Sequence, residues 1–173
     1  AVEPVRYIAI LLARQGNQKE CETVIKDAMS RIEQPLAQRE LCLLLAEFYT
    51  QWNRKDSVYP VLDSLAQKLP DDILIKRRLL QCEQVIKEPK KVQELIDDIK
   101  SLEGEDGWQW RYEQAKVWFT RGDFKGQYPR IISLLQENLL ANPDDQASRA
   151  LLAAAYERSG ELQLALSTYR DAL

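Results

Sequence analysis

Five small or apolar residues recur along this chain at a nearly constant interval. Ala9, Ala46, Leu80, Ala115 and Ala153 are separated by 37, 34, 35 and 38 residues. Three positions after each stand Leu12, Tyr49, Glu83, Trp118 and Tyr156. Self-similarity at such a period marks a chain built by stacking one supersecondary unit, each copy too small to bury its own apolar face. Within the period, apolar residues recur at three and four, as in Leu41, Leu44, Leu45, Phe48 and Tyr49, in Ile131, Leu134, Leu135 and Leu139, and in Leu151, Leu152, Ala155 and Tyr156. No segment alternates with period two over a strand length, so the expected class is all-α.

Glycine and proline punctuate the pattern. Of six glycines, three share one context: Arg14-Gln15-Gly16-Asn17, Thr120-Arg121-Gly122-Asp123 and Arg158-Ser159-Gly160-Glu161. Each closes one apolar-periodic stretch and precedes another, the place for a residue just past a helix end. Pro70 and Pro143 follow other such stretches, and the pairs Asp71/Asp72 and Asp144/Asp145 supply caps and first-turn acids for the next helix. Pro4, Pro89 and Pro129 suit first-turn positions. Pro60 falls late in its repeat, which predicts a helix starting near Ser57 to Tyr59. Second helices are marked by Cys21/Ile25, Val58/Leu62, Val92/Ile96 and Ala165/Tyr169, each pair four apart.

Five helix-turn-helix units follow, over residues 2–38, 39–72, 73–107, 108–145 and 146–173, the last incomplete. Here the chain resembles a tetratricopeptide repeat array. The fifth unit carries the likeness best, through Leu152-Ala153-x-x-Tyr156, Gly160, Ala165-x-x-x-Tyr169 and Ala172. The second adds Leu45-Ala46-x-x-Tyr49 and Pro70, the fourth Ala115-x-x-Trp118, Gly122 and Pro143, the first Ile8-Ala9-x-x-Leu12 and Gly16. The third departs most, with Leu80 and Glu83 at the marked positions and no glycine in its turn. The resemblance implies a right-handed superhelical solenoid of antiparallel helix-turn-helix repeats, a single domain. Both chain ends read as cut, as in a piece of a larger protein. Leu162, Leu166 and Leu173 are then expected to cover a further repeat or a neighbouring copy.

Composition removes most chemistry. The chain has no histidine, which excludes Ser-His-Asp and Cys-His catalysis and His-ligated zinc. Its net charge is −3, and the third unit's seven Lys+Arg are outnumbered by eight Asp+Glu, so a nucleic-acid surface is not expected. Single-stranded nucleic-acid binding remains the weakest of the readings carried forward. Cys21, Cys42 and Cys82 are widely spaced in apolar helical contexts and read as buried thiols, in keeping with a cytoplasmic location. The longest apolar run, Tyr7 to Ala13, is far too short to span a membrane. Arg121-Gly122-Asp123 spells an adhesion tripeptide, but its glycine holds a repeat turn. The carboxylate pairs cap helices or face solvent. The chain reads as a non-enzyme with no cofactor and no metal.

By the resemblance, the first helix of each unit lines a concave face that holds a peptide or helix of a protein partner. The inward positions are Arg6 and Ile10, then Glu40, Leu43 and Glu47, then Arg77, Gln81 and Gln84, and finally Gln109, Tyr112, Lys116 and Phe119. Ala150 and Ala154 leave the fifth unit nearly smooth there. Ile10 and Glu47 stand where the family's carboxylate-clamp members carry asparagines, so that specialised function is not expected. The expected centre is Tyr112, Lys116 and Phe119, with Arg77 and Gln81 beside it. Trp118 is expected in the core, and of Trp108 and Trp110 at least one is expected to reach the surface. The leading function is a protein-interaction scaffold; the alternative is a structural spacer or self-association segment acting through uncapped ends.

Overall fold

The computed structural model describes residues 2–171. Every regular element among them is helical: α1 (Val2–Arg14), α2 (Gln18–Arg31), α3 (Pro35–Gln51), α4 (Val58–Lys68), α5 (Ile73–Leu79), α6 (Glu83–Ile86), α7 (Pro89–Glu103), α8 (Trp108–Thr120), α9 (Phe124–Ala141), α10 (Gln146–Ser159) and α11 (Leu162–Arg170). A short 3₁₀ turn at Lys55–Ser57 leads into α4, so the helix containing Pro60 begins at Val58. Proline there is the third helical residue, where its missing N–H costs no helix bond.

Three of the turns share one hydrogen-bonding pattern. After α1, Asn17 N donates to Leu12 O at 2.9 Å and Gly16 N to Ala13 O at 3.1 Å. After α10, Glu161 N donates to Tyr156 O at 2.9 Å and Gly160 N to Glu157 O at 3.1 Å. After α3, Arg54 N reaches Tyr49 O at 2.7 Å and Asn53 N reaches Thr50 O at 3.1 Å. This is the Schellman closure, which needs a left-handed residue. Gly16 and Gly160 supply it at φ 77° and 87°, and Asn53 at φ 57° replaces the glycine that the second repeat lacks. The aspartate pairs divide their labour. Asp72 and Asp145 are the N-caps, accepting from Ile75 N and Ser148 N at 3.1 Å each, while Asp71 and Asp144 lie outside the helices.

Two local expectations are corrected. Pro129 is not in a first turn but inside α9, as its sixth residue, where it removes one backbone donor from the ladder. The first helix of the third unit is not continuous. It stops at Leu79 and resumes at Glu83, with Cys82 in extended backbone at φ −77° and ψ 134°. Leu80 is nevertheless buried, whereas Glu83, in the aromatic's place, is exposed.

The chain divides into two compact units, the first ending at Val92 and the second beginning at Gln93. In the first, α1 packs on α2 and α3, α2 on α3, α3 on α4, and α4 on α5. Its core joins Ala9, Cys21, Ile25, Leu41, Leu45, Phe48 and Tyr49. Close approach at the small positions lets the Cys21 thiol donate to Ala9 O at 3.3 Å. Trp52 stacks on Phe48, ring centroids 5.3 Å apart. In the second unit α8 packs on α9, α9 on α10, and α10 on α11. Its core joins Ala115, Phe124, Ile131, Leu135, Leu152, Ala155, Tyr156 and Ala165. Leu162 is 64% and Leu166 44% exposed on α11; Leu173 lies outside the described residues.

Candidate functional site

The interruption between α5 and α6 borders a concavity of the first unit. Its residues turn toward α3 and enclose, with the α3–α4 connection, a cavity of about 370 Å³. Four of the sequence-derived candidates meet there: Leu43 and Glu47 from α3, Gln81 from the interruption and Gln84 from α6. Buried Ala46 and Leu62, with half-buried Leu43 and Val58, give it an apolar floor. Exposed Glu47, Lys55, Asp56, Arg78, Gln81 and Glu83 give it a rim of mixed charge. An apolar concavity with a few polar groups at its edge is the usual form of a recognition pocket. Its thiol, Cys82, is buried, and that burial raises its pKa, which disfavours the thiolate form.

The other candidates of this unit stand apart from the cavity lining. Arg6 is half-buried and pairs with Glu3 at 3.8 Å, Ile10 packs against the first core, Glu40 is exposed and Arg77 is half-buried. A charged cluster that the sequence pattern did not single out ties two repeats together. The Glu22 carboxylate accepts from Lys26 Nζ and Arg54 Nη1, each at 2.7 Å. Partial burial alone would raise its pKa, but hydrogen bonds from Lys26, Arg54 and Tyr49 outweigh that and bring it to about 2.

In the second unit the candidates form a row on α8. Gln109, Tyr112, Lys116 and Phe119 are all half-buried. Tyr112 and Phe119 pack against the core cluster, and Phe119 meets Phe124 edge-on at 5.8 Å. The Arg158 guanidinium lies 4.2 Å from the Phe124 ring centroid and donates to Phe119 O. Trp108 is 44% exposed. The Trp110 indole donates to Gly104 O at 3.1 Å, and Trp118 packs partly buried against the core. Ala150 is exposed and Ala154 half-buried on α10.

This row is held by polar residues that no spacing argument marks. Glu103 caps α8 from the preceding helix, its carboxylate accepting from Trp110 N at 3.0 Å and from Gln109 Nε2 at 3.0 Å. An anion at a helix start is favoured by the dipole. Arg111, Glu113, Gln114, Asn138 and Ser148 are all buried. Arg111 Nη2 reaches Glu137 at 3.2 Å, and Asn138 Nδ2 donates to Trp108 O at 2.9 Å and Ser148 Oγ at 3.1 Å. Asn138 thus joins α9 to the first turns of α8 and α10. The one available sequence signal was polar residues falling on the apolar stripe of a helix.

Among the described residues no group of three or more Cys, Asp or Glu is placed to hold a metal, and no helix is long and apolar enough to cross a membrane. No protein-family model and no curated protein matches the sequence. Solved structures do. BtubC from P. vanneervenii is similar at TM-score 0.69 and 17% identity, over 99% of this chain and 78% of that one. A thermophilic TPR protein of Thermus thermophilus is similar at TM-score 0.66 and 16% identity, over 100% and 90%. MamA from Desulfovibrio magneticus RS-1 follows at TM-score 0.63 and 14% identity, over 99% and 92%. Likeness at this identity speaks to backbone architecture, and it agrees with the repeat pattern, the shared turns and the stacked helix pairs: the chain has the all-α, tetratricopeptide-like solenoid fold.

Proposed function

We propose that the chain is a protein-interaction scaffold without catalytic activity, one solenoid of five repeats that binds a peptide or helix of a partner through the first helices of its repeats. The observation that carries this reading is the first unit's cavity, where Leu43, Glu47, Gln81 and Gln84 converge over an apolar floor. Its size suits one or two apolar side chains, and its amides and mixed charges suit the polar flanks of a peptide. The α8 row of Tyr112, Lys116 and Phe119 extends the same role in the second unit.

Selecting peptides on the immobilised chain and remeasuring them against Leu43→Asp and Tyr112→Ala variants tests this. Loss of at least tenfold in affinity with helicity unchanged is the expected result. Retained affinity in both variants would remove the groove assignment. Exposed Leu162, Leu166 and Tyr169 on α11, with Tyr7 and Leu11 on α1, favour the second reading, self-association. The mass of the chain in solution decides it: growth with concentration supports it, and a monomer at every concentration does not.

A further inference from the structure

The second unit contains a cavity of about 330 Å³ between α7, α8 and α9, lined in part by Lys100, Trp110, Gln114, Trp118 and Arg130. Its volume lies at the lower end of the roughly 300–1,000 Å³ typical of small-molecule sites. The wall is rich in donors and poor in acceptors. Gln114 is 5% exposed, and its Oε1 accepts from Gln93 Nε2 at 2.9 Å. Gln93 Nε2 also donates to Asp97 Oδ1 at 2.9 Å. A carboxylate only accepts, so Gln93 must turn its NH₂ toward Asp97, and Gln114 must then offer its oxygen to Gln93. The Gln114 NH₂ is left buried with no partner. Such an orphan donor is unfavourable until an acceptor reaches it.

The remaining groups agree on the kind of acceptor. The Lys100 ammonium lies 4.6 Å from the Trp110 ring centroid and is already paired with the Glu105 carboxylate at 2.9 Å. Among the described residues the Arg130 guanidinium has no salt bridge and the Trp118 indole N–H no hydrogen bond. Asp97, the one carboxylate in the wall, is already engaged by Gln93. Trp118 offers ring surface, Arg130 offers an unpaired positive charge, and the desolvated Gln114 amide offers a directed donor. We propose that this cavity binds an aromatic carboxylate, its ring against Trp118 and its anionic oxygens toward Arg130 and the Gln114 amide. The assignment is independent of peptide binding in the first unit.

The test titrates the full chain with phenylacetate, with its neutral analogue phenylacetamide, and with acetyl-Asp-Phe-amide, which presents the same groups from a polypeptide. The indole resonances of the four tryptophans are followed by NMR. Saturable shifts at Trp118 and Trp110, with Trp52 unmoved, are expected from the acid or the dipeptide. Phenylacetamide should bind at least tenfold more weakly, and Arg130→Gln, at an exposed position, should weaken the acid about tenfold with helicity unchanged. Gln114→Leu should do the same while sparing the Gln93–Asp97 bond. Whichever of the two acids binds more tightly identifies a free metabolite or a protein segment as the source. Equal affinity for acid and amide, no saturable shift with either acid, or an unchanged Arg130→Gln variant would overturn the proposal.

Discussion

Asn138 is the most informative position at which to perturb the second unit. It is 1% exposed, and its amide donates to Trp108 O and to Ser148 Oγ, itself fully buried. Its own Oδ1 has no partner. Replacement by leucine removes two hydrogen bonds, together about 2 kcal/mol, and strands the Ser148 hydroxyl at about 2 kcal/mol more. It also deletes the unpaired Oδ1, which returns about 2 kcal/mol. Trp108 O keeps its acceptor role within α8, so the net expectation for Asn138→Leu is a loss of about 2 kcal/mol. Asn138→Asp has nearly the same shape but sets an ionised, donor-less group against two oxygens, and should cost about 4 kcal/mol at neutral pH. Acidification protonates that carboxyl, restores a donor and should recover part of the loss. Urea unfolding of the whole chain, followed by tryptophan fluorescence at pH 7 and pH 4, measures all three. A leucine variant as stable as the parent, or an aspartate variant no worse than leucine at pH 7, would refute the view that this amide is a structural tie between three helices.

Three further outcomes are expected. The Glu22 pKa is depressed from 4.5 to about 2, so the carboxylate's contribution is fully present above about 4.5 and lost as pH falls toward 2; the stability gap between the parent and Glu22→Gln should close over that window, and a gap that persists at pH 2 would contradict the assigned hydrogen bonds. Gly160→Ala should cost about 1 kcal/mol in thermal or urea unfolding through left-handed backbone strain alone, because an added Cβ meets nothing within 4 Å; a loss of several kcal/mol would mean the site is crowded. Burial raises the pKa of all three thiols, that of Cys42 to about 12, so native labelling by a disulfide reagent should be slow and accelerate on unfolding; one thiol reacting at once would show that its helix opens.

The fold was largely legible because its punctuation is chemical. Glycines at 16 and 160 fix left-handed turns, Asp72 and Asp145 cap, and Pro60 delays α4. What stayed hidden followed from tertiary context. Asn53 performs a glycine's task in the second unit's turn, which has no glycine. The interruption at 80–82 has no breaker residue; Leu80-Gln81-Cys82 reads as helix by propensity. Pro129 sits where the start of its helix, at Phe124, precedes the position its φ preference suggests. At the candidate site, Leu43, Glu47, Gln81 and Gln84 were found by repeat register. Lys55 and Asp56 were not, because they enter the cavity through the 3₁₀ turn, which no period describes, and Arg78 was not, because it reaches the cavity from the end of α5 just before the interruption. Buried Arg111, Gln114 and Asn138 were missed for a simpler reason, since residue type alone assigns them to solvent.

The interruption in the third unit also has a mechanical meaning. Helices α5 and α6 have seven and four residues, well below the roughly 12–15 at which an isolated helix becomes even marginal in water. Their order is borrowed from packing, with α5 leaning on α4. Under tension a chain of units in series lengthens first at its most compliant member, and the short helices of residues 73–86 make that segment the one expected to yield first. A load carried along the backbone is then expected to open this short stretch before the longer, mutually packed α1/α2, α8/α9 and α10/α11 pairs.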